Sequence, residues 1–588
     1  MSKHFLLILL MAICGAFTVE NASLCMLHTP LSTDAFSEKE YPKGYFQSPV
    51  EHTIRLSGTF GELRPNHFHA GIDIKSSKGR VGDVVVAAAD GYIARIKVQA
   101  GGYGNALYIR HPNGYSTVYA HLHTFTDELN EYVKSKQYSR QSFGVDLYPE
   151  AGKFKFKKGE KIGLMGNSGG SYGPHLHFEI RDSGTEKPIN PLLFKFDMED
   201  NMPPKMHQIK VYHLNGKLET TDTKVLDLVK KGNKYGIRGD TLTVGAWRAG
   251  FGLKVYDHHN NVSNWNGIYS LQMLVDGEPT YDFRMEQLSF SETRYINAHM
   301  DYAERKMNKA YFNRCYELPG NKLSIYDKQV EKGVVKLYLK KAQKITMLAK
   351  DADGNATTLE FWVKRKEDIN APKGTSFNYT FQHNQENTVN RDDLSLYFPK
   401  GSLYENLYLK YETKATDHGF YAPMHRIHNN KTPVHKYFTI SIKPSKTIPA
   451  ELRDKAYVAY VEKDGSLINC GGTWKNGKLQ AKVRELGDYS ICIDDTQPKI
   501  SAVDFSSNMK GYNKMSFKMK DMETGGKARG LKYKATVDGK WILMEHDGKK
   551  DMLTHRFDGR IGPGEHQLKL VVTDNRGNKS VFERRFSR

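Results

Sequence analysis

Three short segments near the start of the chain combine histidines with carboxylates. They read NHFHAGID at residues 66–73, YAHLH at 119–123 and GPHLHFE at 173–179. Imidazole nitrogens and a carboxylate oxygen are ligands that suit Zn²⁺. A catalytic zinc usually has three protein ligands and leaves a fourth position to water. The segments therefore predict a metal site able to activate water and polarise a carbonyl group.

The third segment predicts a strand, in which alternate side chains lie on opposite faces of the sheet. Leu176 and Phe178 would then point into a core, whereas His175, His177 and Glu179 would share the other face. Two imidazoles on one face can serve one site. Taken alone, the pair indicates only a polar strand face.

The first segment strengthens the prediction. His69 and Asp73 are four residues apart, so in an extended chain they also share a face. Together with His177 they make a set of three candidate metal ligands. His121 and His175 are then available to take or give protons, or to stabilise an oxyanion.

The order and spacing of these motifs resemble those of a known family. The patterns H-x-G-x-D, Y-x-H-L and G-N-S-G-G-S-Y-G-P-H-L-H-F-E are similar to those of the lysostaphin-type, LytM-like zinc endopeptidases, over about residues 50–192. The resemblance implies an antiparallel β-sheet that holds one zinc ion beside an open peptide groove. By the same resemblance, the metal ligands are His69, Asp73 and His177, and the catalytic histidines are His121 and His175.

Neighbouring polar residues leave alternatives open. Alternation along a strand also puts His67 and His123 on the same faces as the motif histidines, and the family pattern assigns them no ligand role. Glu179 either orients a ligand by a hydrogen bond or forms a salt bridge. Arg64 and Asn66 are candidates for contact with substrate carboxylates.

An insertion distinguishes this chain from the compact family pattern. Between Leu122 and Gly159 lie 36 residues, which include a predicted helix near 126–137 with Thr126 as its N-cap. This piece either walls the substrate groove or decorates the surface.

The length of the chain and its strand and turn patterns predict a mostly β protein of several domains. At roughly 150 residues per domain, 588 residues correspond to about four. Beyond about residue 200 there are short strand patterns with frequent turns, and residues 349–355 weakly repeat at 572–578. The predicted order is a signal peptide at 1–22, the peptidase-like domain at 40–195, an immunoglobulin-like β-sandwich at 205–365, a β-rich module at 370–495 and a second immunoglobulin-like β-sandwich at 497–588.

The first residues predict export. Phe5–Phe17 is a short apolar run after Lys3, as in a secretory signal, and too short to span a bilayer. An uncleaved anchor and lipidation of Cys25 are the alternatives. Cys470 and Cys492 would either pair across a hairpin or stay as buried thiols.

The charge balance favours an anionic surface as partner. Lys and Arg exceed Asp and Glu by 20, but they are spread along the chain and form no stripe for nucleic acid. The expected protein is a secreted zinc metalloendopeptidase that cuts peptide cross-links of bacterial peptidoglycan, in the periplasm, the cell envelope or the medium. The alternative is a non-catalytic regulator that binds the wall and activates another wall hydrolase. The C-terminal β modules are candidates for binding an envelope protein partner and for peripheral contact with a membrane.

Overall fold

The computed structural model of the chain describes residues 39–367, 376–416, 419–521 and 530–588. The predicted signal peptide and Cys25 lie outside these described residues. Within the described part of the chain, no helix is both long and apolar enough to cross a membrane. The predicted mostly β fold class is confirmed, because strands dominate every part that the structure describes.

The N-terminal unit consists of strands β1 to β14 and helix α1. One antiparallel sheet runs in the order β1-β4-β13-β8-β7-β6-β10, with β11 beside β6 and β14 beside β13; β5-β12-β9 form a smaller sheet, and β2 and β3 a hairpin. Their bounds are β1 (Leu56–Gly58), β2 (Leu63–Arg64), β3 (His67–Phe68), β4 (Ile72–Lys75), β5 (Val84–Val86), β6 (Gly91–Val98), β7 (Asn105–Arg110), β8 (Tyr115–Leu122), β9 (Thr124–Phe125), α1 (Asp127–Arg140), β10 (Val145–Leu147), β11 (Lys155–Phe156), β12 (Lys161–Leu164), β13 (His175–Asp182), β14 (Pro188–Ile189) and a 3₁₀ helix, Pro191–Phe194.

The centre of the larger sheet follows from the alternation predicted for β13. Leu176 and Phe178 are fully buried on one face, and β13 pairs with β4 on one side and β8 on the other. The predicted helix is present as α1, with Leu129 and Val133 buried. Thr126 has the extended N-cap conformation, but its side chain makes no capping hydrogen bond.

The first sandwich, which we define as β15 to β27, is formed by two sheets. The sheet β16-β15-β20-β23, with β25 beside β20, faces the sheet β17-β18-β27-β26-β21-β22-β24 across one apolar core, and β19 pairs with β27. The bounds are β15 (Lys205–Leu214), β16 (Thr220–Asp227), β17 (Val229–Lys231), β18 (Lys234–Gly236), β19 (Thr241–Val244), β20 (Arg248–Tyr256), β21 (Ser270–Val275), β22 (Glu278–Arg284), a 3₁₀ helix (Thr293–Tyr295), α2 (Ile296–His299), α3 (Tyr302–Asn308), β23 (Asn313–Arg314), β24 (Tyr326–Gln329), a 3₁₀ helix (Glu331–Gly333), β25 (Val335–Lys336), β26 (Gln343–Lys350) and β27 (Ala356–Arg365).

The second sandwich, β28 to β39, has its own apolar core. Its sheets run β29-β30-β34-β38-β37 and β32-β33-β39-β35-β36, with β28 paired to β31. The bounds are β28 (Tyr379–Phe381), β29 (Asn387–Asn390), β30 (Leu394–Phe398), β31 (Leu407–Leu409), β32 (Tyr411–Lys414), β33 (Met424–Ile427), β34 (Phe438–Ile442), a 3₁₀ helix (Ala450–Lys455), β35 (Ala456–Val461), β36 (Leu467–Asn469), β37 (Thr473–Lys475), β38 (Lys478–Val483) and β39 (Gly487–Ile493).

The third sandwich, β40 to β47, is the last. It packs the sheets β40-β41-β45-β44 and β43-β42-β46-β47 around another core. The limits of the domains and the immunoglobulin-like topology stay predictions. The bounds are β40 (Lys499–Asp504), β41 (Lys514–Lys520), β42 (Lys532–Val537), β43 (Lys540–Trp541), β44 (Glu545–Asp547), β45 (Met552–Arg556), β46 (Glu565–Thr573) and β47 (Lys579–Ser587).

The weak sequence repeat corresponds to two turns with the same hydrogen bonds. Between β26 and β27, Asp351 accepts bonds from the backbone N–H of Asp353 and Asn355 and from the side chain of Asn355. Asn355 Nδ2 also donates to the carbonyl of Asp200, 3.0 Å away, in the segment that enters the first sandwich. The turn therefore fastens this sandwich to the segment before it.

The second copy of this turn lies between β46 and β47. Asp574 accepts bonds from the backbone N–H of Arg576 and Asn578 and from the Asn578 side chain. Asn578 Nδ2 donates to the carbonyl of Asp494, 2.8 Å away, in the segment that enters the third sandwich. The repeat therefore marks a turn used for the same purpose in both sandwiches.

Cys470 and Cys492, for which a disulfide was one of the two predictions, lie on opposite sides of strand β35. Cys470 donates its backbone N–H to Val458, and Cys492 pairs with Tyr457. Two strand spacings, about 9–10 Å, therefore separate them. A disulfide needs Cα atoms within about 7 Å, so the structure favours the two thiols.

The N-terminal unit contacts the first and third sandwiches. Phe68 N–H donates to Thr293 Oγ1 over 2.9 Å, which holds the β2–β3 hairpin against the first sandwich. On α1, Lys134 forms an ion pair with Asp558 of the third sandwich. Lys549 of the third sandwich donates to carbonyl oxygens of the loop that precedes β13.

Candidate metal centre and its neighbours

The pairing of β4 with β13 places two of the predicted ligands side by side. Asp73 lies directly opposite His177 in this antiparallel pair, and directly opposed residues share a face of the sheet. Both side chains are buried. The strand alternation predicted from the sequence therefore brings this carboxylate and imidazole together.

The third predicted ligand enters just before β4. His69 follows the β2–β3 hairpin, and Gly71 stands between it and Asp73. A Cβ atom on Gly71 would lie 2.2 Å from the carbonyl oxygen of Phe178. The close approach of the two strands thus requires glycine at this position.

Three side-chain atoms converge at one point. His69 Nε2 lies 3.0 Å from Asp73 Oδ1 and 2.9 Å from His177 Nδ1. His177 Nδ1 is 2.9 Å from Asp73 Oδ1. The predicted trio of His69, Asp73 and His177 is therefore assembled, with one donor atom from each residue facing the others.

The outer nitrogens of both imidazoles are occupied. His69 Nδ1 lies 2.8 Å from the carbonyl oxygen of Thr59, and His177 Nε2 lies 2.8 Å from Glu179 Oε1. A carbonyl and a carboxylate only accept hydrogen bonds, so both outer nitrogens carry the proton. In the neutral imidazoles, the inner nitrogens consequently present lone pairs.

Three lone-pair donors within 3.0 Å of one another repel unless a positive group joins them. Burial lowers the pKa of His69 to about 4. Burial also opposes charge on His177, yet its bonds to Asp73 and Glu179 raise the pKa of His177 to about 9. A proton or a metal cation can therefore satisfy this trio, and its two imidazoles and one carboxylate suit Zn²⁺.

A buried network supports His177 from behind. Glu179 is fully buried and accepts from Arg181 Nε over 2.6 Å and from the hydroxyl of Tyr103. Burial would raise the pKa of Glu179, but Arg181 and His177 lower it to about 2. Of the two alternatives left open for Glu179, both apply, because one oxygen orients His177 and the other pairs with Arg181.

Arg64 contacts the trio from the β2–β3 hairpin. Its Nη2 atom lies 2.6 Å from Asp73 Oδ2, the carboxylate oxygen that does not face the histidines. A charge-assisted bond of this kind fixes the plane of the carboxylate. Arg64 therefore contacts a predicted ligand, and Asn66 accepts a hydrogen bond from Asn297 of the first sandwich.

The two predicted catalytic histidines lie beside the trio. The rings of His121 and His175 are 4.8 Å apart, and His175 Nε2 is 3.5 Å from Asp73 Oδ1. His121 donates Nδ1–H to the carbonyl of Ser168, and His175 donates to that of Gly173. Both therefore keep Nε2 for other partners. Burial, followed by the neighbouring His177 and His175, lowers the pKa of His121 to about 3.

Other polar residues of the motifs lie away from the convergence point. The side chains of His67 and His123 are exposed, and His67 Nδ1 bonds the carbonyl of Pro65. The hydroxyl of fully buried Tyr119 accepts from the N–H of Ala88, so this ring packs in the core.

Sequence reasoning missed part of the supporting network. It assigned no role to Arg181, to Tyr103 or to the Thr59 carbonyl. Arg181 follows Glu179 by two residues on the same strand face, a signal that was available. The contact of Thr59 depends on the fold of a loop, which no local pattern revealed.

Comparison with known proteins identifies this region. Residues 67–138 and 152–191 match the model of peptidase family M23, and residues 378–494 match that of a Zu5-like domain. The chain is 38% identical over 151 residues to the DD-carboxypeptidase/endopeptidase Mpg of Neisseria meningitidis, covering 26% of this chain and 25% of that protein. It is 36% identical over 124 residues to the murein hydrolase activator NlpD of Salmonella typhimurium, covering 21% of this chain and 25% of that protein.

Among solved structures, a zinc-containing peptidase from Vibrio cholerae is 25% identical, with a TM-score of 0.19, over 27% of this chain and 41% of that one. The chain spans about a quarter of the length of the curated relatives it matches. Those relatives include a protein named as a peptidase and one named as an activator. The motif resemblance is confirmed, because residues 67–138 and 152–191 match peptidase family M23.

Proposed function

We propose that this domain is a zinc metalloendopeptidase that hydrolyses peptide cross-links of bacterial peptidoglycan. The observation that carries the proposal is the trio of inward-facing donor atoms with two further imidazoles beside it. The name of the Neisseria relative supports an activity on wall peptides.

The metal ligands in this proposal are His69, Asp73 and His177. A zinc ion bound there supplies Lewis acidity, which polarises a carbonyl group and lowers the pKa of a water molecule to about 7. Thr59 and Glu179 keep the two imidazoles in the tautomer that presents a lone pair inward. Arg64 holds the Asp73 carboxylate from its other oxygen.

His121 and His175 are the proposed catalytic histidines. Because each is held through Nδ1 by a backbone carbonyl, its ring orientation is fixed and Nε2 remains to accept or donate a proton. One of them can take the proton of the attacking water, and the other can hold the developing oxyanion or protonate the leaving amine. Preorganised donors of this kind need no rearrangement during the reaction.

The other parts of the chain have proposed roles as well. The leader-like start and the wall substrate indicate export to the cell envelope. The peptidase domain at 40–195 would be followed by β modules at 205–365, 370–495 and 497–588, which position it on the wall or on an envelope protein.

The test is hydrolysis of purified peptidoglycan by the full chain. Wild type should release new amino groups and bind zinc. His121→Gln should lower kcat by about 10²–10⁴-fold, the usual contribution of a general acid or base, while its zinc content stays that of wild type. Mass spectrometry of the released fragments identifies the bond that is cut.

His123→Gln is the matched control, since this imidazole is exposed two residues further along the chain. It should leave kcat unchanged. Hydrolysis by His121→Gln at the wild-type rate would remove this residue from the mechanism. A zinc-loaded wild type that releases no amino groups, yet accelerates a separate wall hydrolase, would make the protein an activator instead.

A further inference from the structure

A second group of potential metal ligands lies where the N-terminal unit joins the first sandwich. Asp200 belongs to the segment that connects the 3₁₀ helix after β14 to β15. Asp257 and His259 follow the end of β20. One ligand atom from each lies within 4.8 Å of the others. None of these residues belongs to the M23 site.

Within this junction cluster, the imidazole of His259 lies between the carboxylates of Asp200 and Asp257. His259 Nδ1 is 3.0 Å from Asp200 Oδ2, and His259 Nε2 is 3.7 Å from Asp257 Oδ2. Both ring nitrogens of His259 and the Oδ2 atom of Asp200 are buried, and they make ion-pair contacts without a well-formed hydrogen bond. The Asp200 side chain is fully buried and that of Asp257 is 2% exposed. Such groups are costly to bury without partners.

Asn266 supplies an independent sign of a missing partner. It exchanges both backbone hydrogen bonds with Asp257, so the two residues are directly opposed and their side chains share a face. Asn266 is fully buried, and neither its amide oxygen nor its amide nitrogen makes a hydrogen bond. A buried amide beside a buried carboxylate, both unsatisfied, indicates a ligand between the chain segments.

The local charge points the same way. Asp351 lies close enough to interact electrostatically with Asp257. Several carboxylates with one imidazole leave a negative balance that a divalent cation would neutralise.

We propose that Asp200, Asp257 and His259 bind a divalent cation of the Zn²⁺ class that clamps the connecting segment to the first sandwich. The imidazole favours Zn²⁺ over the harder Ca²⁺ and Mg²⁺, which prefer oxygen ligands only. The Asn266 amide oxygen is placed to add a further contact. The Asn355 bond to the Asp200 carbonyl also holds this segment, so the ion would add to an existing contact.

The experiment counts zinc per full-length chain after loading and desalting. Wild type should hold two ions. Asp257→Asn keeps the shape of the side chain and should hold one, and Asp73→Asn, which damages the M23 site, should also hold one. Asp353→Asn is the matched control, because Asp353 lies in the neighbouring turn and pairs with Lys195, and it should hold two.

A second readout follows the connecting segment itself. In the Asp73→Asn protein, zinc should slow protease cleavage within residues 197–204, and the added substitution Asp257→Asn should abolish this protection. Should Asp257→Asn fail to fold, His259→Gln takes its place in both measurements.

The proposal is wrong if Asp257→Asn holds as many zinc ions as wild type, or if Ca²⁺ occupies the junction and zinc does not. One zinc in wild type that Asp73→Asn removes would show that His259 serves as an imidazolium between Asp200 and Asp257. Loss of hydrolysis in any variant does not enter these criteria, so the outcome is independent of the proposed peptidase activity.

Discussion

The M23 trio and the junction cluster use similar side chains in different settings. In the trio, the proposed ligand atoms lie on or beside paired strands, and the outer atom of each side chain has a partner in Thr59, Glu179 or Arg64. In the junction cluster the ligands come from loop ends, and several of their polar atoms have no hydrogen bond. The two sites therefore use similar side chains but differ in the hydrogen bonds that hold those side chains in place.

This difference gives the two proposed ions different physical roles. The trio is preorganised, so binding a cation there should change the surrounding backbone little. At the junction a cation would supply the missing partners of buried groups, so it would be part of what holds the segments together. The contrast suits a reactive site in one case and a structural joint in the other.

The largest effect should come from breaking the frame of the trio. Gly71→Ala places a Cβ atom 2.2 Å from the Phe178 carbonyl oxygen, so β4 and β13 must move apart. We expect loss of zinc from the trio, loss of hydrolysis and a fall of about 3 kcal/mol in the free energy of unfolding. Metal analysis and denaturant titration measure these. Gly101→Ala, where a Cβ meets nothing within 4 Å, is the control. Wild-type zinc content in Gly71→Ala would contradict the preorganised frame.

A smaller effect should distinguish the two sites by how much zinc protects the backbone amides around each of them. Amide hydrogen exchange is compared with and without zinc. At a zinc concentration 100 times Kd, protection of the amides around Asp200 and Asp257 should rise by about 100-fold, which corresponds to about 2.7 kcal/mol. The amides of β4 and β13 should change less. An equal rise in both regions would erase the distinction between a preorganised site and a joint.

The smallest effect concerns one supporting contact of the trio. Glu179→Gln removes the charge that keeps Nε2 of His177 protonated, and should weaken zinc binding at the trio by about 10–100-fold. Competition with a chelator of known affinity measures the change. Glu186→Gln, which alters an exposed partner of Arg181, should leave the affinity unchanged. Equal effects of the two substitutions would mean that Glu179 acts only through its salt bridge.

The sequence predicted the trio and its neighbours because the relevant signals are local. Strand alternation determines which side of β13 His175 and His177 occupy, and the family pattern linked them to His69, Asp73 and His121. The helix α1 was likewise visible from its acidic first turn and apolar stripe. The roles of these residues in metal binding and catalysis stay predictions.

The junction cluster was invisible for a physical reason. Asp200 and Asp257 are separated by six strands, β15 to β20, and no motif joins them. Arg64 posed the same problem, since its bond to Asp73 depends on how a two-stranded hairpin folds back. The repeated turn was visible in the sequence, but its hydrogen bond to the preceding segment could be seen only in the tertiary structure.

That repeated turn has a consequence for how such a chain can change over time. Because the first and third sandwiches each carry an asparagine that bonds the segment leading into them, part of each joint is encoded downstream of it. Whole units can then be inserted, lost or shuffled upstream while the geometry of the remaining joints persists. Each of these two sandwiches thus brings its own attachment to the unit that precedes it.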